Sequence, residues 1–200
     1  MHSALHLLGL SILLPHVAAS GVFEGAEPRD EPGPPTEIYH TDSGPVFGQR
    51  VAGGVNVFRS IPYARPPTDQ RRWANPERPE RWTKPLNVSS FADPCPQRKG
   101  SNETVGKEDC LKLYLYTTSA PQSKKDRKKP VMVWVHGGGL QSGNGYLSGG
   151  NNSGGFYDGR GLTLLGDVVV VAIQYRLGTL GFLALPDGEG GHGNFGLKEN

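Results

Sequence analysis

The residues best placed to do chemistry lie in one short stretch, Val131-Met132-Val133-Trp134-Val135-His136-Gly137-Gly138-Gly139-Leu140. Five apolar residues, three of them β-branched, stop abruptly at a histidine and three glycines. The apolar run predicts a buried strand. The glycines let the chain turn sharply and bring bare N–H groups against whatever binds there. Two such N–H groups aimed at one point would stabilise the negative oxygen that develops during acyl transfer.

Other candidate groups are fewer. His136 directly precedes the glycines and reads as structural rather than as a base. His192 sits in Gly188-Glu189-Gly190-Gly191-His192-Gly193, a glycine-rich run that predicts an exposed position. No His, Cys and carboxylate group has metal-ligand spacing, so neither a metal nor another cofactor is expected. The two cysteines, Cys95 and Cys110, are either free thiols or one bridge. In an oxidising compartment the bridge is favoured. The sequons at Asn87, Asn102 and Asn151 become glycan sites if the chain is exported.

Further motifs flank the glycine run. Upstream stand Gly54-Val55-Asn56-Val57-Phe58-Arg59-Ser60-Ile61-Pro62-Tyr63-Ala64-Arg65-Pro66-Pro67, then Arg72-Trp73, then Glu108-Asp109-Cys110-Leu111-Lys112-Leu113. Downstream stand Gln174-Tyr175-Arg176-Leu177-Gly178-Thr179-Leu180-Gly181-Phe182-Leu183 and Gly193-Asn194-Phe195-Gly196-Leu197-Lys198-Glu199-Asn200. In this order and spacing the set resembles the N-terminal part of the type-B carboxylesterase/cholinesterase family, over residues 36–200.

The resemblance implies an α/β-hydrolase fold in which a small antiparallel N-terminal sheet leads into a central mixed sheet. It implies a serine esterase acting on a small carboxylic ester. The oxyanion donors would be the N–H groups of Gly138 and Gly139, partnered by the residue after the nucleophile. It also implies a Cys95–Cys110 disulfide and two ion pairs, Arg72 with Glu108 and Arg176 with Glu199. The second pair departs from the family pattern, which has Asp-Gln where Glu199-Asn200 stand. Such an esterase needs its serine on a G-x-S-x-G elbow. Only Ser11 has glycine two positions before it, and Leu13 stands where the second glycine is required. In the family the elbow, acid and histidine follow the Gly193-Asn194-Phe195-Gly196-Leu197 motif, so this chain is expected to be inactive alone. The family's non-catalytic adhesion relatives offer the alternative of an extracellular binding module. In cholinesterases the first disulfide loop carries a tryptophan that stacks on choline. Here Pro96 to Asp109 contains no aromatic residue, which argues against a choline ester.

The elements that must position this chemistry follow from patterning. Pro45–Val51 and Val55–Ile61, joined by Ala52-Gly53-Gly54, predict a hairpin. Residues 62–94 are proline-rich and aperiodic, predicting an irregular crossing segment. Leu111, Leu113 and Leu115 alternate with Lys112, Tyr114 and Tyr116, predicting a half-buried strand. Val131–Val135 and Val168–Ile173 are uninterrupted apolar runs, the pattern of strands covered on both faces. Leu162–Leu165 predicts a short helix, and Asn194 the N-cap of another starting at Phe195. So few helices would leave apolar strand faces uncovered.

Composition sets the remaining bounds. Lys and Arg number 21 against 19 Asp and Glu, a formal charge of +2, which argues against a nucleic-acid partner. The cluster Lys124-Lys125-Asp126-Arg127-Lys128-Lys129 predicts a solvated loop. Residues 1–19 read as a signal peptide: Leu5–Leu14 is mostly apolar, Pro15 breaks the run, and Val17-Ala18-Ala19 suits cleavage. That run is too short to span a bilayer. The expected organisation is a signal at 1–19, a Pro- and acid-rich tail at 20–35 and the esterase-like portion at 36–200, in a secreted chain of unassigned oligomeric state.

Overall fold

The structure, a computed structural model, describes residues 33–118, 128–146, 157–184 and 193–199. The expected signal segment, most of the tail, most of the basic cluster, Asn151 and His192 lie outside these residues. In chain order the strands are β1 (Tyr39–His40), β2 (Pro45–Phe47), β3 (Gln49–Val51), β4 (Val55–Pro62), β5 (Leu86–Asn87), β6 (Gln97–Lys99), β7 (Glu103–Val105), β8 (Lys112–Thr117), β9 (Val131–Val135) and β10 (Val169–Ile173). Two short helices, α1 (Arg160–Gly166) and α2 (Gly178–Phe182), complete the framework with three 3-10 turns.

The main sheet runs β3-β4-β8-β10-β9. Its first four strands pair antiparallel, while β9 and β10 are parallel, with Val135 opposite Ile173. Parallel neighbours require a crossover, and α1 lies within it. Gly159 opens that helix where a Cβ would come within 2.7 Å of the Tyr116 ring and 2.9 Å of Val170. Only glycine lets the helix start sit this close to the sheet. A second sheet, β1-β2-β5, and the hairpin β6-β7 flank the first.

The segment Pro45–Val51, expected to be one hairpin arm, divides at Gly48 into β2 and β3, which belong to different sheets. Added at Gly48, a Cβ would lie 2.2 Å from the Val57 carbonyl, so the chain crosses β4 where no side chain fits. Alternate residues of β4 and β8 face opposite layers. Val55, Val57, Tyr114 and Tyr116 join Val51, Tyr146, Val170 and Ala172 on one face. Phe58 and Ile61 join Val46 and Val88 on the other, with Leu113 and Leu115 against them. The reading of β8 as half-buried is therefore corrected. Both faces are packed, and the tyrosines are the more buried, at 1% and 3% exposure.

The expectation that β9 is buried is also corrected. Its five residues range from 44% exposure at Trp134 to 61% at Val133. Among the described residues β9 pairs with β10 alone and both of its faces stay open, as expected where few helices cover the strands. In β10, by contrast, Val170, Ala172 and Ile173 are buried between β8 and β9. Asn194 is not the expected N-cap either. It lies at φ +57°, outside the extended region caps adopt, before a 3-10 turn at Leu197–Glu199.

Candidate active site

The parallel strands β9 and β10 end level with one another, and the candidate site lies just beyond their carboxyl ends, where open α/β sheets place ligands. After Val135 the chain leaves β9 through His136 and enters the glycine loop. Gly138 adopts φ +124° and Gly139 φ +62°. At Gly138 a Cβ would lie 1.8 Å from the Ser142 carbonyl oxygen, so this position admits no side chain without moving the loop. The Gly138 carbonyl accepts the N–H groups of Gln141 and Ser142, both at 3.1 Å, closing a tight turn. Neither Gly138 nor Gly139 donates its own N–H to another of the described residues.

Leu140 is also left-handed, at φ +61°. Such a conformation costs a non-glycine residue roughly 1–2 kcal/mol. The 2.7 Å bond from the Gly178 N–H to the Leu140 carbonyl helps to hold it.

His136 anchors the loop's start and is 2% exposed. Its ring stacks on Tyr175 at 4.4 Å between centroids, and the Tyr175 hydroxyl donates to the His136 carbonyl at 2.7 Å. Nδ1 lies 2.9 Å from the Gly137 carbonyl, which assigns the proton to Nδ1. Burial pushes the imidazole below its usual pKa, against a smaller opposing effect of that bond. His136 is therefore a neutral support, with Nε2 buried and unpaired among the described residues.

The far end of the loop is gripped by two carboxamides. Gln97 Oε1 accepts the Gly143 N–H at 2.8 Å, while Nε2 donates to the Gly143 carbonyl at 2.7 Å. Gln174, 1% exposed at the end of β10, accepts the Gly145 N–H at 3.1 Å. The Tyr63 hydroxyl donates to the Gln174 carbonyl. Burial drives that phenol's pKa far above its usual value, Glu199 adds to the rise and Arg176 opposes it.

Beside Gly139 opens a cleft of about 840 Å³. Leu140, Leu177, Phe182 and Leu183 give it apolar walls, and Gln97 and Arg98 line its other side. Apolar walls with a few convergent donors suit a small organic ligand.

The supporting pairs are equally specific. Cys95 and Cys110 form a disulfide with Cα atoms 5.0 Å apart, fully buried beside Ala64, Leu111, Tyr175 and Leu177. Arg72 meets Glu108 in a forked pair, Nε and Nη2 each 2.7 Å from a carboxylate oxygen. Arg176 meets Glu199 in the interior, with side chains 2% and 0% exposed. Glu199 also accepts the Arg176 backbone N–H at 2.8 Å. The remaining guanidinium donors reach the carbonyls of Arg71 (3.3 Å), Arg72 (2.8 Å) and Ala74 (2.9 Å). Burial raises the Glu199 pKa, and its bonds to Arg176 pull the other way. Asn87 and Asn102 are exposed.

The profile of the Carboxylesterase family matches residues 35–199. The chain belongs to the carboxylesterase family. It is 39% identical over 174 residues to the fumonisin B1 esterase of Sphingopyxis macrogoltabida, covering 82% of this chain and 30% of that enzyme. It is 40% identical over 179 residues to the pyrethroid hydrolase Ces2e of Rattus norvegicus, covering 81% and 30%. Among solved structures it resembles the Geobacillus stearothermophilus carboxylesterase EST55, with TM-score 0.70, 33% identity, and coverage of 82% and 32%. A thermophilic PNB esterase superposes with TM-score 0.67 at 36% identity, with coverage of 81% and 32%. The fold is thus the N-terminal portion of an α/β-hydrolase fold. This carboxylesterase segment spans about a third of the length of the relatives it matches. The sequence reading missed Gln97, Gln174, Tyr63 and Tyr175 as supports. The one local signal was a glutamine directly after an apolar strand, at Gln174.

Proposed function

We propose that this chain is the oxyanion-hole segment of a secreted serine carboxylesterase, and that the Gly138 and Gly139 N–H groups receive the developing oxyanion of a carboxylic ester. The observation that carries this reading is the pair of left-handed glycines at the carboxyl end of a parallel strand, their N–H groups unused, beside an apolar cleft. A carbonyl carbon attacked by a serine alkoxide becomes tetrahedral, and its former carbonyl oxygen gains the charge. Fixed backbone dipoles stabilise that charge without reorganising, an effect worth about 2.7–4 kcal/mol for one donor.

The nucleophile, its histidine and its acid belong, on this reading, to residues beyond 200 in a longer polypeptide of the relatives' length. The leader-like pattern of residues 1–19 and the disulfide support export, and Asn87 and Asn102 are then available for glycosylation. Among the described residues no helix is long and apolar enough to cross a membrane. The apolar cleft and the non-aromatic disulfide loop favour uncharged esters over choline esters.

The test is immunocapture of the native polypeptide with antibodies against residues 36–200, followed by fluorophosphonate labelling. A labelled polypeptide about three times the length of this chain, hydrolysing p-nitrophenyl acetate, is expected. A polypeptide of that length that takes no label and hydrolyses no ester would overturn the proposal and leave the binding module as the better account.

A further inference from the structure

We propose that Gln97 is a positioning residue for the oxyanion loop: its side-chain amide pairs with both backbone groups of Gly143 and thereby holds the Gly138 and Gly139 donors in place. This rests on the reading of those two glycines given above.

The pairing uses the amide's full complementarity. Oε1 accepts from the Gly143 N–H, and Nε2 donates to the Gly143 carbonyl at 2.7 Å and to the Cys95 carbonyl at 3.1 Å. A carboxamide offers one acceptor edge and one donor edge side by side. Gln97 thus docks on one residue as a neighbouring strand would, from 46 positions away.

Gly143 packs closely against the donor end of the loop. It lies at φ +119°, and a Cβ there would stand 2.5 Å from both the Gly137 carbonyl oxygen and His136 Nδ1. Its chain neighbour Ser142 donates to the Gly138 carbonyl. A displacement of Gly143 therefore moves the His136–Gly138 backbone with it. Gln97 is itself anchored, because Cys95, two residues earlier, is fully buried and covalently tied to Cys110. Force runs from the disulfide through Gln97 to Gly143, and from there to the two N–H donors.

Chemistry also supplies a discriminating variant. In Gln97→Glu an ionised carboxylate would present acceptors to the Gly143 and Cys95 carbonyls, which repel it. The protonated acid restores one donor and one acceptor in nearly the same shape.

The experiment uses the secreted polypeptide of the relatives' length, labelled with 15N in a deuterated background. It reads amide hydrogen exchange at Gly143 and the amide chemical shifts of Gly138 and Gly139. Gln97→Ala should speed Gly143 exchange about five- to tenfold, as expected for one lost hydrogen bond, and should shift both glycine signals. Gln97→Glu should match it at pH 7.5 and return towards wild type at pH 4, each compared with wild type at the same pH. The low-pH comparison within one variant keeps the test decisive if Gln97→Ala fails to fold. Unchanged exchange and shifts in Gln97→Ala, or a Gln97→Glu chain that is no closer to wild type at pH 4, would overturn the proposal. This readout requires no catalysis. Failed fluorophosphonate labelling with the exchange pattern intact would refute the ester reading, and the reverse result would refute the clamp alone.

Discussion

Replacing Glu199 with glutamine should be among the most damaging single-atom changes in the described core. The change swaps a carboxylate oxygen for an amide and leaves the Arg176 guanidinium, 2% exposed, without its counter-ion. Breaking a buried pair from one side typically costs about 3–5 kcal/mol, because the remaining charge is uncompensated. That is a large fraction of the roughly 5–15 kcal/mol by which domains are stable.

A double replacement, Arg176→Met with Glu199→Leu, separates the charge penalty from the hydrogen bonds. Removing both charges relieves the electrostatic cost, and elsewhere such swaps are often neutral. Here Arg176 also serves the carbonyls of Arg71, Arg72 and Ala74. These carbonyls belong to half-buried residues that water can reach, so each lost bond costs about 0.5–1.5 kcal/mol and the double variant should remain less stable than wild type. Urea unfolding monitored by tryptophan fluorescence is a suitable assay, since Trp73 sits next to this cradle and donates to the Thr179 carbonyl. A loss below about 1 kcal/mol for Glu199→Gln would refute the buried-charge argument. Full recovery in the double variant would refute the claim that Arg176 ties the crossing segment to the sheet. The half-exposed Arg72–Glu108 pair should matter far less when Glu108 becomes glutamine.

Replacing Cys95 and Cys110 together with alanine should cost about 3 kcal/mol, the chain-entropy value for a loop of this size, measured by the same urea transition under non-reducing conditions. Gly138→Ala should force the loop away from the Ser142 carbonyl and, in an esterase of the relatives' length, lower kcat by roughly 10²-fold or more; steady-state kinetics would show it. His136 is held neutral by burial, so its folded pKa lies below that of the unfolded chain. The unfolded state then binds more protons as pH falls below about 6.5, and this residue's contribution to stability declines from there down to the lowered folded value. His136→Phe should flatten that slope, whereas Glu199, whose pKa is raised, contributes with the opposite sign between its unfolded and folded values; stability measured across pH in both chains isolates the histidine. Residues 20–200 alone should take no fluorophosphonate label, and stoichiometric labelling of any serine would contradict the missing elbow.

The local pattern of the chain was enough to locate the chemistry. Three glycines after an apolar run announce a sharp turn with exposed N–H groups, because glycine alone enters those backbone regions freely. The ordered motifs around Arg72, Glu108, Arg176 and Glu199 identify the family, and family likeness carries a topology that periodicity cannot supply. Tertiary structure decided what depends on which neighbour arrives. An apolar run says that a strand can be buried, but β9 is exposed because little among the described residues covers its two faces. The alternation in β8 is the same whichever layer is thicker, so only packing shows that Tyr114 and Tyr116 lie deeper than Leu113 and Leu115. The grip of Gln97 on Gly143 and the Arg176 cradle at Arg71–Ala74 join residues far apart in sequence. Pairings at that separation leave no trace in local spacing, because they arise only when the sheet brings the segments together.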